Sequence, residues 1–169
     1  MKNSPILIIG KTAKTGLRVE QRLQALGYST RGVSRSSSPA FDWEDASTWR
    51  AALEGVESAY VTFYPDLAMP FAEQGIRDFV SLAEDVGLQH LVLLSGRGEQ
   101  GAERAETILI NSALDWNVVR SSWFMQNFSE GFMIEGILSG ELMLPAGDIA
   151  EPFIDIDDIA DVAVAVLTN

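Results

Sequence analysis

The chain has 169 residues, 47% hydrophobic and 21% charged, with a net charge of −12, no cysteine and one histidine, His90. This is the composition of a soluble globular domain burying roughly 70% of its unfolded surface; it excludes disulfides, zinc–thiolate chemistry, a thiol nucleophile and multi-histidine metal sites. The acidic balance sets the chain against nucleic acid and anionic membranes, no apolar run nears the roughly 20 residues of a membrane span, and the lack of cysteine fits a reducing cytoplasm.

Ile6 to Ile9 is a short apolar run of the kind found in strands covered on both faces; its four residues are too few for a signal peptide. After the turn GKTAKTG, the residues Val19, Leu23 and Leu26 form a helical stripe that Gly27 ends. YSTRGVS reads as a second strand, SSSP breaks it, and AFDW is expected as a short third strand. EDASTWRAAL predicts a helix with acids in its first turn, ended by Gly55. SAYVTFY is the next strand, stopped at Pro65, and Ile76, Phe79, Val80, Ala83 and Val86 mark one face of a helix that ends at Gly87.

HLVLLS predicts another strand, Gly96 to Gly101 a loop, Ala102 to Ser112 a helix, and WNVVRSSWF a sixth strand. A helix from Phe128 to Leu138, a turn at Gly140, and the stretches ELMLPAG and PFIDI follow. The last helix carries Ile159, Val162, Ala163 and Val166 on one stripe. Strands and helices in this rhythm imply right-handed βαβ crossovers and a doubly wound parallel sheet. One domain over residues 1–169 is expected, with no internal repeat and no linker.

In such a fold, ligands gather at the carboxyl ends of the strands, and the first strand–helix turn receives phosphate at the helix N-terminus. Gly10 suits the tight turn and Gly16 close packing of helix on sheet. Thr12 and Thr15 offer hydroxyls, Lys11 and Lys14 offer charge, and Ala13 stands where a dinucleotide loop places its middle glycine. The Walker pattern is absent, since Leu17 and Arg18 follow Gly16. At the end of the second strand, GVSRSSSP carries no acid for a ribose 2′-hydroxyl. Arg35 among Ser34 to Ser38 suits a phosphate monoester, which predicts NADP(H) over NAD(H).

The segments ILIIGKTAKTG, VSRSSSPAFDWEDASTW, LVLLSGRGE, VVRSSWFMQNF and PFIDIDDIADVAVAVLT together resemble the NmrA-like branch of atypical short-chain dehydrogenases/reductases, in its ergot-alkaloid-type reductase flavour. The resemblance implies a Rossmann-like, three-layer α/β/α fold that binds NADP(H), with the nicotinamide near the ends of SAYVTFY and HLVLLS. It places Gly10, Thr12, Ala13, Lys14, Thr15 and Gly16 on the phosphate loop, and Ser34 and Arg35 at the 2′-phosphate. Asp42 and Trp43 fall beside the adenine; Phe63, Tyr64, Pro65 and Ser95 lie along the ribose and nicotinamide; Phe124 and Asn127 line the substrate side.

Three features depart from the family. Ala13 adds a methyl to the loop. GAERAETIL has neither member of the tyrosine–lysine pair. Family relatives continue through a substrate lobe, so a truncated or absent C-terminal lobe is expected here, with an open sheet edge that a second copy of the chain would cover. Tyr64 is the candidate proton donor, weighed against an aromatic wall at a strand end.

The remaining polar residues read as structural. His90 is expected at the surface; Asp155, Asp157, Asp158 and Asp161 as helix cap and dipole partners; Glu99, Glu103 and Glu106 with Arg97 and Arg104 as a solvated loop and helix face. Trp49, Trp116 and most methionines read as core. The sequence supports an NADP(H)-dependent reductase of a small quinone, imine or enone, with a non-catalytic NADP(H)-binding sensor or interaction module as the alternative.

Overall fold

Five parallel strands carry the architecture: β1 (Ile6–Ile9), β2 (Thr30–Val33), β3 (Ser58–Val61), β4 (His90–Gly96) and β5 (Asp115–Ser121), in the order β2-β1-β3-β4-β5. The computed structural model describes residues 4–131, 133–144, 147–148 and 150–169. Ile6 pairs with Thr30 on one side and Ser58 on the other, and His90 of β4 pairs with Asp115 of β5. Strand order reverses between β1 and β3, which opens a crevice at their carboxyl ends.

The helices are α1 (Lys14–Ala25), α2 (Trp49–Leu53), α3 (Ala72–Asp85), α4 (Gln100–Ile110), α5 (Ile134–Ser139) and α6 (Ile156–Thr168). Alternation along the strands sorts the core into two halves. Leu7, Ile9, Ala59, Val61, Leu91 and Leu93 meet the apolar stripes of α2, α3 and α4. Ile6, Ile8, Tyr60 and Val92 face Val19 and Leu23 of α1 and Ala160, Ala163 and Val164 of α6. The result is the expected doubly wound, three-layer α/β/α arrangement. No helix among the described residues is long and apolar enough to cross a membrane.

Several expectations need correction. AFDW is not a strand: Asp42 and Asp45 close a turn, held by Thr48 Oγ1 accepting from the Asp42 N–H (3.0 Å) and donating to the Asp45 carbonyl (2.7 Å). Its aromatic residues instead build a cluster in which Phe41 stacks on Trp49 and Trp43 packs against Phe63. WNVVRSSWF is divided. β5 stops at Ser121, where its partner β4 ends at Gly96, and Trp123–Phe124 forms a separate strand β6 parallel to β7 (Phe153–Ile154). Trp116, on the outermost strand, is 40% exposed rather than core, whereas Trp49 is buried.

Of the described methionines only Met133 is buried; Met69, Met125 and Met143 are exposed. The helix expected over Phe128 to Leu138 becomes a 3-10 turn, Met125–Phe128, and the short α5. Between them Gly131 fits against Lys14 and the Asn127 backbone, where a Cβ would crowd both. Phe132, and Pro145 and Ala146 of ELMLPAG, lie outside the described residues. His90 is half-buried, with Nε2 hydrogen-bonded to Asn117 Oδ1 (2.8 Å) across β4 and β5.

Candidate functional site

The loop after β1 is built on two glycines. Gly10 has φ +86°, a conformation open to glycine at little cost, and its N–H and that of Lys11 donate to the Val33 carbonyl at the end of β2 (3.2 Å each). A Cβ built on Gly16 would overlap the Gly10 carbonyl oxygen, so α1 starts against the loop only because Gly16 has no side chain. Ala13 is the helix N-cap, extended at φ −75° and ψ 155°, with no side-chain hydrogen bond to the first turn. The methyl therefore costs no backbone strain, and the first turn of α1 offers its N–H groups to an anion. Thr12 is exposed, Thr15 is buried in the first turn of α1, and Lys14 Nζ donates to Asn127 Oδ1 (2.8 Å).

Beyond β2, Ser34 to Pro39 folds on itself: Ser37 Oγ accepts from the Ser34 N–H (2.8 Å), and its one proton is shared between the Ser34 and Pro39 carbonyls (2.8 and 2.7 Å). Arg35 projects from this loop, and its guanidinium lies 5.2 Å from the centre of the Tyr64 ring. Tyr64 is 64% exposed and stacks on Arg35, away from the cleft that Phe63 and Pro65 line. Trp43 is held inward, its indole N–H donating to the Thr62 carbonyl (3.0 Å), and Asp42 accepts from the Glu44 N–H (3.1 Å).

A cleft of about 530 Å³ lies across the carboxyl ends of β3, β4 and β5. It brings together Phe63, Pro65, Ser95, Phe124 and Asn127, five of the residues singled out from sequence. Thr62 joins it to the loop, its hydroxyl donating to the Ile9 carbonyl (3.1 Å) beside Gly10. Asn127 joins it through Lys14. The floor is Ser95, buried at the end of β4, whose hydroxyl donates to Glu106 Oε1 (2.5 Å).

Glu106 corrects a sequence expectation, because it is buried and not on a solvated face. Arg120 of β5 clamps it, with Nε 2.9 Å from both carboxylate oxygens and Nη2 on Oε2. Burial works against the charge of Glu106, but the hydrogen bonds from Arg120 and Ser95 outweigh it and hold the carboxyl below its usual range. The signal was present in the spacing: Ala102, Ala105, Glu106 and Leu109 fall at i, i+3, i+4 and i+7, the buried stripe of α4. Glu99, also read as a solvated loop residue, stays exposed but lines the cleft mouth; partial burial and the neighbouring Asp66 push its carboxyl up.

The cap reading of the acidic run holds for Asp155, which accepts from the Asp157 N–H at the start of α6 (2.8 Å). Asp157 and Asp161 also pair with arginines of α1.

No family model matches the chain. An oxidoreductase of Bacillus subtilis, described as uncharacterised, is 33% identical over 180 residues, spanning 100% of this chain and 62% of the relative. Festuclavine dehydrogenase of Aspergillus fumigatus is 32% identical over 97% of this chain and 63% of its own length. The chain thus spans about three-fifths of these curated relatives. Among solved structures, Citrobacter sp. triphenylmethane reductase complexed with NADP(H) matches with a TM-score of 0.81 over 98% of this chain and 66% of that one, at 16% identity, a likeness of fold.

Proposed function

We propose that residues 1–169 are the cofactor-binding domain of an NADP(H)-dependent reductase, on the strength of their similarity to oxidoreductases of the NmrA-like, atypical short-chain dehydrogenase/reductase type. Its substrate class is a small organic acceptor such as a quinone, imine or enone. One observation carries the reading: the uncapped first turn of α1, with Gly16 seated on the Gly10 carbonyl, opens at the same sheet edge as the cleft over Ser95.

The residues present fit a dinucleotide. Gly10 and Gly16 let the loop close tightly over the start of α1, since a side chain at either would overlap Thr62 or the Gly10 carbonyl, and Lys11 and Lys14 bring positive charge to an otherwise acidic chain. In this reading Arg35 would meet the 2′-phosphate, and Tyr64, stacked on it, belongs with the adenosine end rather than with proton donation. Phe63, Pro65 and Ser95 would flank the nicotinamide, with Phe124 and Asn127 toward the acceptor. The bound nicotinamide supplies the hydride; the chain supplies position, charge and exclusion of water. An acceptor already cationic needs no proton, and a neutral one takes it from solvent.

Calorimetric titration tests this reading. NADPH is expected to bind at least roughly tenfold more tightly than NADH, the worth of one charge-assisted contact to a phosphate. Arg35→Ala is expected to abolish that preference. Binding of neither dinucleotide refutes the reading, and tighter NADH binding refutes the role of Arg35.

A non-catalytic NADP(H)-binding module is the second reading, favoured by the direction of Tyr64 and the missing tyrosine–lysine pair. NADPH absorbance followed across quinones and imines separates the two. Oxidation supports the enzyme; tight binding without oxidation supports the module.

A further inference from the structure

Ser95 closes the floor of the cleft at the end of β4 and is 3% exposed, so bulk water does not share its hydroxyl. What that hydroxyl offers a ligand is decided behind the sheet. Its proton is directed at Glu106 Oε1, 2.5 Å away on α4. Glu106 is itself 1% exposed and held by Arg120, whose Nε lies 2.9 Å from each carboxylate oxygen. A guanidinium has donors only, and a carboxylate gripped by one is an acceptor. The direction of the chain is therefore fixed: Arg120 donates to Glu106, and Ser95 donates to Glu106. Ser95, which lines the cleft, is left with oxygen lone pairs that this pairing does not use. A serine held in this sense cannot donate to a ligand carbonyl oxygen, but it can accept from a ligand N–H.

We propose that Ser95 accepts a hydrogen bond from the amide N–H2 of a carboxamide in the cleft, that of the nicotinamide, and that Glu106 and Arg120 are positioning residues that keep it an acceptor. This rests on the dinucleotide reading of the preceding subsection. A buried site built to receive an N–H discriminates against an analogue that lacks it, because its own polar group is then left unpaired.

The test compares NADP+ with its 3-acetylpyridine analogue, in which a methyl replaces the amide nitrogen, by calorimetry. The unsubstituted chain is expected to prefer NADP+ by roughly fivefold or more, the worth of one buried hydrogen bond. Ser95→Ala leaves the Glu106–Arg120 pair in place and is expected to bring the two ligands within about twofold. Glu106→Leu removes the acceptor of the Ser95 hydroxyl proton, which frees that hydroxyl to donate to the carbonyl oxygen both ligands carry, and is expected to shrink the preference with the serine still present; should that variant not fold, Ser95→Ala decides alone. NADP+ binding without preference, or a preference that survives in Ser95→Ala, overturns this inference and leaves the dinucleotide reading standing. Binding of neither ligand overturns both.

Discussion

Gly16 shows how much of the loop rests on one missing side chain. The Gly10 carbonyl occupies the space a Cβ would need, and Gly10 cannot yield, because its positive φ and the bonds of Gly10 and Lys11 to Val33 fix it at the end of β1. Gly16→Ala is expected to cost about 1–3 kcal/mol by overpacking and to weaken NADPH binding at least tenfold, read from the denaturant midpoint and by calorimetry. The spacing of Gly10 and Gly16 was legible in the sequence, since only glycine meets both demands. The sheet-facing role of Glu106 was legible only in part: its spacing with Ala102, Ala105 and Leu109 marks the buried stripe of α4, but the nearby charges of Glu103 and Arg104 give the same stretch the look of a solvated face. Tyr64 was similarly opaque: its position after β3 was clear, but its direction is set by Arg35, some thirty positions earlier in the chain.

At the scale of elements, apolar periodicity identified the five sheet strands and the longer helices, because burial on one or two faces writes that pattern. It failed where other forces shape the backbone. AFDW has strand-like residues, yet hydrogen bonds of Asp42, Asp45 and Thr48 close it into a turn. The division of WNVVRSSWF depends on where β4 ends, which no local pattern records.

Long-range ion pairing is equally silent in sequence. Arg18 and Arg22 of α1 stand one turn apart and face Asp157 and Asp161 of α6, with Arg18 also reaching Glu130 (2.6 Å). Asp157 serves both arginines, at 3.2 and 2.9 Å, so Asp157→Asn strikes the junction at its shared point. The pairs are partly exposed, and a loss of roughly 1 kcal/mol or less is expected. Urea midpoints should show the deficit at low ionic strength and its near disappearance at about 1 M salt, where charges are screened within about 3 Å. A deficit unchanged by salt would mean that shape, not charge, joins α1 to α6.

For the whole molecule, 24 acidic residues against 12 lysines and arginines make self-repulsion the background against which each local charge acts. Protonating exposed carboxylates as pH falls from neutrality relieves that repulsion and favours the folded state. Glu106 works in the other direction. Its folded carboxyl lies below the ordinary value of 4.5, so the folded chain gains from its charge above that pH and loses the gain as pH falls through the lowered value. The two trends predict a stability maximum on the mildly acidic side, followed by a fall as pH drops through the lowered value of Glu106. Glu106→Gln separates them. The variant keeps the background relief but gives up the charged clamp, at a cost near neutrality of about 2 kcal/mol for hydrogen bonds to a charged group. Denaturant midpoints of the two proteins should therefore converge as pH drops through the carboxyl range. A constant gap would show that the clamp contributes packing alone and that the acid limb belongs to the other carboxylates.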